Sequence, residues 1–143
     1  MAHASHEVVI DRPIDEVFAF LADGLNDPQW REGILEIERL TEFADFGAMY
    51  KQTVRGPGSS RVRSDYYISA YEPPRLLGFE VTAGPVRPSG RFELTADGPT
   101  RTTVRSTLDL AESPGMRLLS GMITREFDRE VRQIERLKQA LER

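Results

Sequence analysis

The hydrophobic positions follow two periods along the chain, and the longest regular pattern lies at the C-terminus. Between Ser113 and Leu141, apolar side chains recur at steps of three and four residues, which is the period of one helix face. Ser113 can cap this segment and Pro114 suits its first turn, so the pattern predicts one continuous helix. At about 1.5 Å per residue this helix would be about 40 Å long, so it requires a broad partner.

From Gly33 to Leu110 the period changes to two, which is typical of half-buried strands. Short turns rich in glycine, proline and aspartate separate the alternating segments and predict an antiparallel meander. Each segment has one apolar face and one charged face, so we expect a sheet that the long helix covers on one side. The predicted strands lie around 35–38, 48–55, 61–71, 77–81, 91–95 and 102–110.

The segment before this meander predicts one strand and two short helices. Met1–Ser5 is expected to be frayed, and the first strand to occupy His6–Arg12. Pro13 opens the first helix, which Gly24 is expected to end in a left-handed cap. A second, very short helix is predicted at Asn26–Trp30, which carries the only tryptophan.

Length and composition indicate a single domain over residues 1–143, with a net charge of −4 and a calculated pI of about 5.3. This acidic balance argues against a nucleic-acid partner. The absence of cysteine excludes disulfides and thiolate chemistry. No apolar run or signal-peptide pattern indicates stable membrane insertion, so we expect a cytoplasmic monomer or homodimer.

Several segments together resemble the helix-grip (SRPBCC) superfamily, which includes START domains, birch-pollen-allergen-like proteins and bacterial polyketide cyclase/dehydrase-like proteins. The segments that carry the resemblance are Val9–Phe18, Asn26–Trp30, Tyr71–Arg75 with Leu77, Arg91–Leu94 with Thr100 and Arg101, and Leu137–Glu142. The resemblance implies an α+β fold with a seven-stranded curved antiparallel sheet wrapped around a long C-terminal helix. It also implies two short helices between strands 1 and 2, and an apolar cavity between sheet and helix.

Polar side chains on the predicted inner face of the sheet are the first candidates for a ligand site. They are Tyr50, Gln52, Ser64, Tyr66 and Ser106, and the apolar Phe79 lies on the same face. Buried hydroxyl and amide groups require hydrogen-bond partners. These groups either bond one another or ordered water, or they orient the polar groups of a ligand within an apolar pocket.

The helices contribute the remaining candidates. Met116, Leu119, Met122 and Ile123 form a wide apolar surface at the start of the terminal helix, which lines either a cavity or plain core. Trp30 is either structural or a wall of the cavity. Glu130 lies near the centre of the apolar stripe. A carboxylate there is either buried, and then paired or raised in pKa, or it lies where the helix emerges and is solvated or bonded to a surface arginine.

The sequence carries no recognisable catalytic constellation. His3 and His6, the only histidines, lie in the predicted terminal segment, and neither a metal site nor a cofactor is expected. The first hypothesis is therefore a protein that binds an apolar or aromatic, lipid- or polyketide-like molecule in the cavity. The alternatives are a cyclase/dehydrase-type enzyme that uses the same cavity and, third, an interaction module like the co-chaperone members of the superfamily.

Overall fold

The structure, a computed structural model, describes residues 2–111 and 114–143. The strands are β1 (Ala2–Ile10), β2 (Ile34–Arg39), β3 (Met49–Arg55), β4 (Arg61–Arg63), β5 (Tyr66–Glu72), β6 (Leu76–Val81), β7 (Ser89–Ala96) and β8 (Thr102–Leu110). The α-helices are α1 (Ile14–Ala22), α2 (Ser120–Val131) and α3 (Ile134–Leu141). Short 3₁₀ helices occupy Gly24–Gln29, Pro57–Ser59 and Pro114–Leu119.

The described strands form one curved antiparallel sheet in the order β1-β8-β7-β6-β5-β3-β2, with β4 beside β3. β4 and β5 are the two parts of the strand predicted at residues 61–71, interrupted at Ser64 and Asp65. The two parts count as one strand of the meander, so the predicted seven-stranded helix-grip architecture is confirmed. The two short helices between β1 and β2 are confirmed as α1 and the 3₁₀ helix Gly24–Gln29.

The core lies between one face of the sheet, here called the inner face, and the helices. Alternate residues of each strand point to this face, and α2 and α3 pack on β1. The main cluster of buried apolar residues joins α1, α3 and the inner face, and includes Val17, Leu21, Leu94, Val104, Ile134 and Leu137. A second cluster lies under α2, where Phe127 and Val131 pack against Ala2, Ala4 and Leu108.

The prediction of one continuous terminal helix was wrong. A 3₁₀ helix precedes α2, and a break at residues 132–133 separates α2 from α3. At the break the Gln133 amide bonds to the Glu130 carbonyl at 3.1 Å, while its side-chain oxygen accepts from the Glu32 amide at 2.5 Å. Tertiary hydrogen bonds therefore stabilise a tighter turn that apolar periodicity does not reveal. The predicted cap Ser113 lies outside the described residues.

Two smaller predictions for the N-terminal region were also wrong. β1 begins at Ala2 rather than at His6, because Ala2 pairs with Leu110 and packs in the second cluster. His3 and His6 lie in this strand and pair with carboxylates of Asp109 and Glu135. Gly24 begins the 3₁₀ helix and is not a left-handed cap.

None of the described helices is both long enough and apolar enough to cross a membrane.

Glycine at position 90 is expected to be essential for packing on the inner face. A Cβ built there would lie 2.3 Å from the Phe79 ring, so Gly90→Ala should lower the free energy of unfolding by about 1–3 kcal/mol. Gly121→Ala in α2 is the matched control, since its Cβ meets nothing within 4 Å. The control should raise stability by up to about 1 kcal/mol in urea unfolding. Equal effects of the two changes would contradict the packing described.

Candidate functional site

A line of aromatic rings crosses the inner face of the sheet. Tyr50 stacks on Tyr66 with ring centroids 4.8 Å apart, and Tyr66 meets the edge of Phe79 at 5.9 Å. Phe79 contacts Phe92 at 6.0 Å, and Phe92 contacts Trp30 at 6.1 Å. Such ring pairs are favourable beyond the area they bury. The line joins β3, β5, β6 and β7 to the segment that follows the 3₁₀ helix.

The 3₁₀ helix Gly24–Gln29 covers the tyrosine end of this line. The Gly24 amide donates to the Tyr50 hydroxyl at 3.2 Å, and a Cβ built at Gly24 would lie 2.1 Å from the Tyr66 hydroxyl. Only glycine therefore allows this close approach of backbone to the two hydroxyls. Among the described residues, the Tyr66 hydroxyl has no hydrogen-bond partner.

Arg31 lies between three elements of the fold and forms a polar cluster there. Its Nε donates to Glu130 of α2 at 2.8 Å, and its Nη1 donates to Asp27 at 3.0 Å and to the Gln52 side-chain oxygen at 3.2 Å. The Gln52 amide nitrogen in turn donates to the Ser64 carbonyl at 3.1 Å. The cluster connects the 3₁₀ helix, β3 and the end of α2.

Burial and charge act against each other in this cluster. Burial raises the pKa of Asp27 to about 6, although the Arg31 charge and hydrogen bond lower it. Burial alone would lower the pKa of Arg31, but Glu130 and Asp27 outweigh it and raise that pKa, so Arg31 stays charged. Burial, followed by the Asp27 charge, raises the pKa of Tyr66 well above its usual value. Tyr66 is therefore a hydroxyl donor throughout the physiological range.

The segment that carries Trp30 and Arg31 is joined to the terminal helices at several points. Besides the Arg31–Glu130 and Glu32–Gln133 bonds, Arg136 Nε donates to the Trp30 carbonyl at 2.9 Å. Trp30 is 2% exposed, and its indole Nε1 is buried without a hydrogen-bond partner among the described residues. These bonds hold the tryptophan end of the aromatic line in place.

The inner face is not sealed along its whole length. Four side chains that point inward are only half-buried, so solvent still reaches them: Ser64, Phe79, Val81 and Phe92. Phe79 borders both apolar clusters, and Ile123 of α2 packs against the second one. We call the partly exposed apolar surface formed by Phe79, Val81, Phe92 and Ile123 the inner groove.

The structure brings most of the predicted site residues to the inner face. Those on it are Trp30, Tyr50, Gln52, Ser64, Tyr66, Phe79 and Ser106. Glu130 is half-buried and bonds to Arg31 and to the Gln133 side chain, so it is neither free nor simply solvated.

The start of α2 departs from the expected arrangement. Leu119 and Met122 are 50% and 64% exposed and belong to neither apolar cluster, because α2 packs on β1 and β8 at one edge of the sheet. The expectation that these two side chains lie inside the fold is corrected accordingly. The side chain of Met116 lies outside the described part of the chain.

Sequence reasoning missed Asp27 and Arg31 as members of the site. Asp27 resembled an ordinary cap before Pro28, but the structure gives that role to Asp23, whose side chain accepts from the Leu25 amide at 3.0 Å. The only local signal was the spacing of four between Asp27 and Arg31, which places an acid and a base on one helical face.

Two shallow depressions occur on the opposite, outer face of the sheet. One, of about 200 Å³, is lined by Leu40, Gly47, Met49, Tyr50, Asp65, Tyr66, Tyr67 and Thr82. The other, of about 220 Å³, is lined by Glu36, Ile37, Glu38, Lys51 and Thr53. Both are open to solvent, and the second is bordered mainly by charged side chains.

Comparison with known proteins identifies the fold independently. Residues 1–142 match the family model described as polyketide cyclase / dehydrase and lipid transport. No curated protein matches the sequence at a significant level.

Three solved structures illustrate the likeness. The Zhui aromatase/cyclase from Streptomyces sp. R1128 is 20% identical with a TM-score of 0.70, over 96% of this chain and 89% of that one. A START superfamily protein from Mycobacterium smegmatis is 18% identical with a TM-score of 0.63, over 98% and 94% of the two chains. A protein from Thermus thermophilus is 15% identical with a TM-score of 0.75, over 96% and 95%. At these identities the structures show a shared fold.

Removing the guanidinium of Arg31 should be among the most destabilising single changes in the chain. Arg31→Met leaves the buried Asp27 carboxylate without its counter-charge, which costs about 3–5 kcal/mol for a buried pair. The matched control is Arg129→Met, since Arg129 is 73% exposed and its pair with Glu126 should contribute less than about 0.5 kcal/mol. Urea unfolding near neutral pH measures both, and similar losses would contradict the cluster.

The raised pKa of Asp27 predicts a distinctive pH dependence. Because the folded state holds the proton up to about pH 6 and the reference value is 3.8, this group favours folding below about pH 4. That contribution, on the order of 3 kcal/mol, is lost as the pH rises through 6. As the pH rises from about 4 to about 6, Asp27→Asn should therefore become more stable relative to the parent. The exposed loop change Asp45→Asn should show no such gain. If the difference in free energy of unfolding between Asp27→Asn and the parent does not change with pH, the pKa of Asp27 is not raised in the folded protein.

Proposed function

The chain belongs to the polyketide cyclase/dehydrase and lipid transport family and has its ligand-binding helix-grip fold, and on that premise we propose that the inner groove binds a small apolar or aromatic molecule. The ligand would lie between the sheet and the terminal helix, against the aromatic line. In this proposal the candidates Phe79, Tyr66 and Trp30 belong to one binding surface.

The observation that carries this proposal is the mixed character of the inner groove. Phe79, Val81 and Phe92 are apolar side chains that point inward yet remain half-buried, although covering them would be favourable at about 25 cal/mol per Å². The charged group and the unpartnered hydroxyl lie at one end, where Arg31 and Tyr66 are found, and Ser106 adds a hydroxyl beside Phe92. An apolar surface with a few convergent polar groups is the usual form of a small-molecule site.

A second candidate function, a cyclase/dehydrase-type reaction, is favoured by one observation. Asp27 changes its protonation state near pH 6 and lies beside Arg31 and Tyr66. A carboxylate so placed can take a proton from a ligand carbon, while the two donors stabilise the oxygen that gains negative charge. The two candidates share the groove and differ in whether the bound molecule is chemically changed.

Binding of the neutral dye Nile red tests the location of the site. We expect its fluorescence to rise with the parent protein and its affinity to fall at least about tenfold in Val81→Glu, which places a charge in the inner groove. Tyr67→Glu is the matched control, because Tyr67 lies on the outer face in the first depression.

A second measurement needs no substitution. Trp30 is the only tryptophan, so its indole N–H gives a single signal in a proton–nitrogen NMR spectrum, and the dye should shift it. Absence of dye binding would overturn the proposal. A loss of affinity in Tyr67→Glu with full affinity in Val81→Glu would instead place the dye on the outer face.

A further inference from the structure

We propose that a polar subsite at one end of the inner groove selects ligands that present an uncharged acceptor oxygen, such as a ketone, over ligands that present a carboxylate. The subsite consists of Asp27, Arg31, Gln52, Tyr66 and Glu130. The proposal rests on the proposed function, since it specifies the chemistry of a ligand held in that groove.

The subsite offers hydrogen-bond donors that the protein does not use. The Tyr66 hydroxyl lies on a side chain that is 8% exposed and has no partner among the described residues. Arg31 commits Nε and Nη1 to Glu130, Asp27 and Gln52, whereas its Nη2 makes no hydrogen bond to a described residue. Among the described residues, the fully buried side-chain atoms without a partner are Trp30 Nε1 and Thr107 Oγ1, so the Tyr66 hydroxyl and Arg31 Nη2 keep some contact with solvent. A ligand oxygen that replaces this solvent would accept from these O–H and N–H groups.

The net charge of the subsite determines which kind of ligand oxygen it binds. One guanidinium faces two carboxylates, Asp27 and Glu130, so the net charge is −1 when both are ionised. The neighbouring Asp23 is paired with Arg39 at 3.0 Å and leaves this balance unchanged. A ligand carboxylate would add a second negative charge in a partly desolvated site, whereas a ketone adds none.

Proton uptake by Asp27 should weaken this selection. The titratable and charged groups that face Asp27 are Arg31, Glu130 of α2, Asp23 and Tyr66 of β5. When Asp27 is protonated, the remaining Arg31 and Glu130 charges cancel. The repulsion of a carboxylate then disappears, while the Tyr66 and Arg31 donors remain.

Displacement of Nile red by two matched naphthalenes tests the proposal. At about pH 8, 2-acetylnaphthalene should displace the dye at a concentration at least about tenfold lower than 2-naphthoate. At about pH 5 naphthoate is still mostly ionised, and the ratio of the two displacing concentrations should narrow to roughly threefold or less. Asp27→Asn should show the narrow ratio already at about pH 8, which separates the Asp27 charge from the general cost of burying a carboxylate.

The hydroxyl donor is tested by a single-atom change. Tyr66→Phe keeps the ring that stacks on Tyr50 and should weaken 2-acetylnaphthalene roughly tenfold, whereas Tyr67→Phe on the outer face should leave its affinity unchanged. Urea unfolding checks that both variants are folded, and the affinity of 2-acetylnaphthalene is calculated from its displacement of Nile red with the dye affinity measured separately for each variant.

Any one of the following results would overturn the subsite while leaving the groove as the binding site. These are equal or tighter binding of naphthoate at about pH 8, an unchanged ratio in Asp27→Asn, and equal effects of Tyr66→Phe and Tyr67→Phe. Failure of both naphthalenes to displace a dye that binds would also overturn it. Loss of Nile red binding by the parent protein would instead refute the proposed function, and with it the subsite.

Discussion

The buried guanidinium of Arg31 is the interaction on which the arrangement of the site depends. It bonds to the 3₁₀ helix through Asp27, to the sheet through Gln52 and to α2 through Glu130. A charge with 17% of its side chain exposed persists in such a place only when its partners are fixed around it. The 3₁₀ helix, the sheet and α2 are therefore held in fixed positions relative to one another. Together they form the polar end of the inner groove.

The same constraint explains why the terminal helix is not continuous. Glu130 must face Arg31, and three residues later Gln133 bonds to the Glu32 amide, so the chain tightens between α2 and α3. α3 then packs fully into the main core, while the start of α2 keeps Leu119 and Met122 exposed. The end of α2, with Phe127 and Val131, and α3 are firmly packed, whereas the start of α2 only loosely covers the sheet and leaves the groove open there.

Local patterns predicted the architecture because alternation and helical spacing are properties of neighbouring residues. The meander, the helical character of the segment occupied by α2 and α3, and the inward face of Tyr50, Gln52 and Tyr66 all follow from such spacing. The helix break and the polar cluster depend on contacts that are distant in sequence. Glu130 was a candidate because it interrupts an apolar stripe, but its partner Arg31 lies 99 residues away and its only local signal was the spacing of four from Asp27. The site residues predicted from local spacing therefore did not include Arg31, the residue that holds several of them together.

A crystal structure of the protein with 6-bromo-2-acetylnaphthalene tests the central claim most directly, because bromine is located by its anomalous scattering. The account predicts a bromine peak between the Phe79 and Phe92 rings and α2, with the ketone oxygen within hydrogen-bond distance of Tyr66 or Arg31. A peak confined to the depression around Met49 and Tyr67 on the outer face, or side chains that fill the inner groove with no room for the compound, would contradict it.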